Sequence, residues 1–393
     1  MNVMGPKKIV LLGMMSKIPV AGVVWQTAHY LEGLRRLGYD VYYVEAHART
    51  PTTLMSTEQD DGSALAATFI DRACRRFGFG GRWAYHALHD DGRVYGMSEA
   101  ELMRLYGSAH AIINLHGGTE PRPEHYATNR LVYLETDPVQ LQIELSENRP
   151  ETIAFLEPHC AFFTFGENYG RPGCGLPVSD RFRFLPTRQP VVTDFWADSD
   201  IPPGDALTTV GNWEQPHREV VFRGETYHWS KHHEFMKVID LPRRVGGRPR
   251  FELALSSYDD AAERLLRGHG WDVRPALAFS MEPDPYRAYI AGSLGEFTVA
   301  KDQNVRLRSG WFSDRSATYL AAGRPVVTQD TGFGDVLPTG AGLFAFRTVD
   351  EATAAVGAIR EDYTAHARAA SDLAAEYFAA DRVLGDLLRR IGT

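Results

Sequence analysis

SGWFSDRSATYLAAGRPVV, residues 309 to 327, continuing as TQDTGFGD through residue 335, is the stretch on which the fold turns. The chain around Gly310 reads as a loop, and Ser313-Asp314-Arg315-Ser316 reads as a helix start. There the Ser313 hydroxyl can cap free amides, and the Asp314 carboxylate suits the positive end of the helix dipole. Such an end binds phosphate. The helix predicted through Tyr319-Leu320-Ala321-Ala322 stops at Gly323, and Pro325-Val326-Val327 then reads as a short buried strand. A polar turn, Asp330-Thr331-Gly332-Phe333-Gly334, follows at the strand's carboxyl end, where α/β proteins place ligand contacts. Two polar loops would therefore face one crevice of an α/β protein.

The same alternation opens the chain. KIVLLG at 8 to 13 is the apolar run of a buried parallel strand, and Pro19 and Gly22 interrupt the loop after it. Residues 23 to 37 carry apolar positions at helical spacing, and DVYYVE at 40 to 45 supplies the next strand, completing a right-handed βαβ unit. The fingerprint G-x-G-x-x-G of nicotinamide and flavin enzymes is missing after the first strand, where Met14, Met15, Ser16 and Lys17 stand instead. Trp25 could stack on a flat ligand and His29 could face the cleft, although buried helix positions are the commoner fate of such residues.

Residues 46 to 97 show a helix at 63 to 76 and no chemistry. Three further strands end in polar groups: 111 to 115 at His116-Gly117-Gly118, 131 to 134 at Glu135-Thr136-Asp137-Pro138, and 161 to 165 at Gly166-Glu167-Asn168. If these strands are parallel, their carboxyl ends share one edge. His116, Asp137 and Glu167 are then candidates for a general base. His116 leads because its reference pKa lies nearest neutrality, whereas an Asp-Pro pair commonly caps a helix.

Six prolines between 170 and 205 disfavour a continuous helix or a central strand and place a domain junction near 195 to 205. Beyond it, the strand at 207 to 210 leads into Gly211-Asn212-Trp213, and Lys231 precedes a helix at 232 to 239. A lysine there opposes the dipole unless an anion is bound. His232, His233 and Glu234 adjoin in sequence and lack the i, i+4 spacing of a helical chelate, so no metal is expected. The strand at 271 to 274 ends in Arg274, and EFTVAK at 296 to 301 ends in Lys301, ahead of Arg306 and Arg308. Such cations can neutralise a leaving diphosphate without a metal.

A chain of 393 residues exceeds the usual limit of one core, so two domains are expected. The formal charge of −8, from 42 basic and 50 acidic residues, argues against a broad nucleic-acid surface. Cys74, Cys160 and Cys174 form no C-x-x-C pair, which fits a reducing cytoplasm. The opening apolar run is interrupted at Ser16 and Lys17, too early for a membrane span.

These motifs resemble the glycosyltransferases of the two-domain GT-B fold. The resemblance is carried by the Gly310-Trp311 loop, the helix start at Ser313, the run AAGRPVV, the polar turn at 330 to 332, and Gly38-Tyr39-Asp40-Val41 after the first helix. It implies two Rossmann-like domains facing a cleft. Residues 1 to 200 would bind the acceptor and 201 to 374 the nucleotide-sugar donor, with a helix at about 375 to 393 able to pack back on the first domain. It further implies metal-independent transfer of a hexose from a UDP- or TDP-sugar to a small-molecule acceptor, with no cofactor beyond that co-substrate. Donor contacts would come from Gly211, Asn212, Trp213, Lys231, Arg274, Lys301, Gly310, Trp311, Ser313, Arg315, Ser316, Asp330, Thr331 and Gly332. His116 and Asp137 would face the acceptor.

Two departures leave the stereochemical outcome open. Gly310 and Thr318 stand where retaining relatives carry a Glu-x7-Glu pair, and Arg308-Ser309-Gly310-Trp311 replaces the His-Cys-Gly-Trp box of plant-type inverting enzymes. A GT-B sugar-nucleotide epimerase or hydrolase, and a non-catalytic sugar-nucleotide-binding protein, are the alternative readings.

Overall fold

The computed structural model describes residues 6–47, 51–90, 92–197, 201–216 and 218–392. The first sheet contains β1 (Lys8–Leu12), β2 (Asp40–His47), β3 (Trp83–Ala87), β4 (Val94–Tyr95), β5 (Ala111–Leu115), β6 (Leu131–Glu135), β7 (Ala161–Thr164) and β8 (Phe184–Pro186). Its order is β4-β3-β2-β1-β5-β6-β7-β8, and every pair is parallel except β3 with β4. After it come β9 (Ala206–Asn212), a hairpin of β10 (Val220–Phe222) and β11 (Glu225–Tyr227), then β12 (Arg250–Ser256), β13 (Asp272–Pro275), β14 (Gly295–Thr298), β15 (Val326–Gln329) and β16 (Leu343–Phe346). The second sheet is wholly parallel in the order β13-β12-β9-β14-β15-β16.

Both sheets reverse strand order beside their first strand, between β1 and β5 and between β9 and β14. The loops diverge at such a point, so the crevice outside the strand ends is open to a ligand. The central strands are covered on both faces, which is why they read as unbroken apolar runs: Ile9, Val10, Leu11 and Leu12 are all fully buried.

Two features lock the halves together. The last helix, Ala380–Arg390, lies on the first, Ala21–Arg36, and sends Leu384, Leu387 and Leu388 into the first sheet's core beside Leu31 and Leu34. Gly33 makes that approach possible, because a Cβ there would stand 2.6 Å from Leu384 Cδ1. The β10–β11 hairpin leaves the second sheet and packs Tyr227, Val220 and Phe222 with Tyr169, Leu176 and Phe184 of the first half.

The proline-rich stretch contributes no central strand; it forms β8, an edge strand whose Pro186 falls at the end, where a missing N–H is harmless. The stretch at 83 to 95, without an assigned strand in the sequence reading, forms β3 and β4. Of the junction expected at 195 to 205, residues 198 to 200 lie outside the described residues. No helix among the described residues is long and apolar enough to cross a membrane.

Candidate active site

The two crevices open onto one cavity of about 940 Å³ between the sheets, within the usual size of small-molecule sites. Gly211, Asn212, Lys231, Lys301, Trp311, Ser313 and Arg315 line one wall. His116 and Asp137 line the other.

The first wall is cationic by construction. Lys231 follows the β10–β11 excursion and immediately precedes the helix His232–Met236. It forms no salt bridge among the described residues, and burial, with Arg315 nearby, lowers its pKa to about 7. Glu296 and Asp314 pull the other way without offsetting the burial. Arg315 sits in the first turn of the helix Asp314–Ala321. Its guanidinium is fixed by Glu296 Oε1 at 2.6 Å, the Val210 carbonyl at 2.6 Å and Thr298 Oγ1 at 3.1 Å. Ser313 does precede this helix, yet its side chain caps no amide, contrary to the sequence expectation. The buried Asp314 carboxylate instead meets the first-turn backbone at Asp314 and Arg315.

Lys301 crosses the cleft. Its Nζ lies 2.5 Å from Asp137 Oδ1 and 3.2 Å from the centroid of Trp229, which also meets the Arg218 guanidinium at 4.7 Å and donates from Nε1 to Gln215 Oε1 at 2.9 Å. Burial lowers the Lys301 pKa, and Asp137 opposes that shift. Trp311 Nε1 donates to the Thr136 carbonyl at 2.9 Å, so the loop after β6 is gripped twice from the other half.

His116 stands at the end of β5 with φ +64, a conformation that non-glycine residues seldom hold without a surrounding constraint. Its Nδ1 pairs with Thr136 Oγ1 at 2.9 Å, and its buried Nε2 has no partner. Burial lowers its pKa to about 4, against the pull of Asp137, so the ring is neutral at pH 7. A neutral imidazole with a free nitrogen can accept a proton from a hydroxyl.

The remaining candidates are placed elsewhere. Trp213 is packed in the second core against Phe235, and Arg274 stacks on Phe279 and Tyr289 outside the cavity lining. Gly310 and Gly332 lie at the contact between the halves, and Asp330 and Thr331 are held by groups of the second half. Asp330 pairs with Arg347 at 2.7 Å and accepts from the Gly332 amide, while Thr331 Oγ1 donates to the Trp311 carbonyl at 2.5 Å. Gly310 and Gly332 have positive φ, and each lets Asn168 approach where a Cβ would clash at 2.6 Å. Ser316 is buried with its hydroxyl unpartnered.

Glu167 is buried against Arg188 at 2.5 Å, away from the cavity lining, and so is poorly placed to act as a base. Arg306 and Arg308 are engaged by Glu225 and Asp302, and by Asp330 and Asp335, respectively. Trp25 donates to the Pro283 carbonyl and packs on Phe77 and Trp196; the His29 ring nitrogens lie 3.1 Å from the Val192 amide and from Trp196 Nε1, and the neutral ring accepts from one of the two. Both are structural. His228, His232 and His233 stack at ring separations of 4.1 and 3.9 Å, yet no group placed to hold a metal occurs among the described residues.

Sequence reasoning missed Arg218, Trp229, Ser257 and Tyr286, all of which line the cavity. Tyr286 rides on the helix Pro283–Ala291, whose signal, Pro283 at the first helical position with Asp284 beside it, is present in the sequence. Ser257 holds φ +57 at the end of β12, which no residue type announces.

No protein-family model matches the sequence, and no curated protein matches it. Solved structures do match. AviGT4, a glycosyltransferase involved in avilamycin A biosynthesis, is 13% identical, with 98% of this chain and 97% of that one covered at a TM-score of 0.56. An alpha-glucosyltransferase solved with UDP-glucose and DNA containing an abasic site is 10% identical, with 99% and 100% covered at 0.59. HepE from Anabaena, solved with UDP and glucose, is 11% identical, with 98% and 100% covered at 0.53. Two Rossmann-like sheets, matched over nearly the whole length to these structures, give this chain the GT-B fold of glycosyltransferases.

Proposed function

We propose that the protein is a glycosyltransferase that moves a hexose from a UDP- or TDP-sugar to a small-molecule acceptor, without a metal. The observation that carries this reading is Lys231, which forms no salt bridge among the described residues and lines the cleft beside Arg315 and the start of the helix Asp314–Ala321. Together they supply the charge and the directed N–H groups that a diphosphate requires. Similar solved structures hold UDP or UDP-glucose, which supports the choice of ligand.

In this reading the diphosphate sits on Lys231, Arg315 and the amides from Ser313 onward, with Lys301 alongside. As the sugar–phosphate bond breaks, those groups stabilise the charge developing on the leaving oxygen. The acceptor hydroxyl lies on the His116 side. If configuration inverts, His116 Nε2 takes its proton, and Thr136 holds the ring in place through Nδ1. The cleft thereby brings donor and acceptor groups from opposite sheets together.

The test is release of nucleoside diphosphate from a panel of UDP- and TDP-hexoses with and without pooled alcohol and phenol acceptors. Acceptor-dependent release is expected. Release that ignores the acceptor points to a hydrolase, interconversion of the sugar to an epimerase, and binding without consumption to a sugar-nucleotide-binding protein.

A further inference from the structure

The cleft is divided by charge as well as by sheet. Opposite the cationic wall, the lining is largely apolar, formed by Met14, Ile18, Tyr133, Leu141, Phe155 and Phe165. The carboxylates on that side are engaged. Asp137 is held by Lys301, and Glu144 accepts from Gln140 Nε2 at 2.9 Å and Thr152 Oγ1 at 2.7 Å. Lys17, the cation that this side contributes, is exposed and already engaged by other groups of the chain.

The apolar patch is built around the two glycines that follow His116. Gly117 has φ +61, and a Cβ on it would stand 2.8 Å from Tyr133 and 3.2 Å from Phe155. At Gly118 a Cβ would stand 3.2 Å from Met14. Glycine at both positions lets this turn lie flat between Met14 and the two aromatic rings. Tyr133 and Phe155 meet edge to face, with centroids 5.7 Å apart at 86°. An aromatic platform therefore borders His116, where an apolar ring gains contact area, whereas a phosphate or carboxylate would be desolvated without a counter-charge.

We propose that this wall selects an uncharged acceptor with a flat apolar ring system, a phenol or ring-bearing alcohol, presenting its hydroxyl to His116. The proposal rests on the glycosyltransferase reading. It sets aside sugar phosphates and nucleic acid as acceptors.

The experiment is calorimetric titration of the full chain, with and without saturating UDP, using 7-hydroxy-4-methylcoumarin and glucose 6-phosphate as probes. The coumarin is expected to bind at least about tenfold more tightly than the sugar phosphate. Phe155→Ala should weaken coumarin binding about tenfold, the order expected for losing one aromatic wall, while UDP affinity changes less than about twofold. Retained UDP affinity reports that the variant is folded. Should Phe155→Ala fail to fold, Leu141→Lys serves instead: it adds a cation, and the preference should shift toward glucose 6-phosphate. Tighter binding of the sugar phosphate by the native chain, absence of coumarin binding, or coumarin affinity untouched by both variants would overturn the proposal. Failure of UDP itself to bind would count against the transferase reading, whereas the ranking of the two probes judges this wall separately.

Discussion

Burial sets the two titrations that matter. Lys231 has a pKa of about 7 in the ligand-free protein, depressed from the ordinary lysine value mainly by desolvation. Its protonated form is the one that attracts a diphosphate, so UDP affinity should be full below pH 7 and fall as pH rises through that value. A flat affinity from pH 6 to 9 would contradict this. The same shift has a stability sign. The folded chain binds fewer protons than the unfolded chain between about pH 7 and the ordinary lysine pKa, so this residue's contribution to stability improves as pH rises across that window. Removing the charge with Lys231→Met should raise the melting temperature most at or below pH 7. His116 moves in the same direction, to about 4, through burial. If it serves as the base, the acid limb of kcat/KM should lie near pH 4, and a limb at the ordinary histidine value near 6.5 would exclude it.

Close packing decides what the elements tolerate. Gly33 lies mid-helix, where alanine would ordinarily be preferred by about 1 kcal/mol, yet a Cβ there would press on Leu384 Cδ1 at 2.6 Å and Ala380 Cβ at 2.8 Å. Gly33→Val should therefore cost about 1 to 3 kcal/mol by urea denaturation, and unchanged or increased stability would show that the terminal helix is not tightly docked. Most elements were legible because their signals are local. The run at 8 to 13, the strand at 111 to 115 and the helix after Ser313 all announced themselves by period and by the residues at their ends. The β10–β11 hairpin did not, because its Val220, Phe222 and Tyr227 are apolar to match residues some fifty positions earlier in the chain, a partner that no window reveals. The site divides in the same way. Residues that end a parallel strand, His116, Asp137, Gly211, Asn212 and Lys301, could be placed at the cleft from order alone, and they do line it. Asp330 and Glu167 also follow strands, but Arg347 and Arg188 engage them, and the sequence does not show which carboxylate a distant arginine will claim.

The cleft depends on how the two sheets are held, and Gly310 and Gly332 both press on Asn168 at that junction. At φ +76, with a prospective Cβ 2.6 Å from the Asn168 amide nitrogen, Gly310→Val should force the halves apart while sparing each core. X-ray scattering should then show a larger radius of gyration than for the native chain; an unchanged radius would mean that the junction yields locally. In the proposed reaction a diphosphate fills the cleft on Lys231. Calorimetry of native and Lys231→Ala protein with UDP and with uridine tests it most directly. The substitution is expected to weaken UDP binding by roughly 1.5 to 3 kcal/mol, on the order of ten- to a hundredfold, and to leave uridine binding nearly unchanged. Equal loss for both ligands, or UDP binding that ignores the substitution, would contradict it.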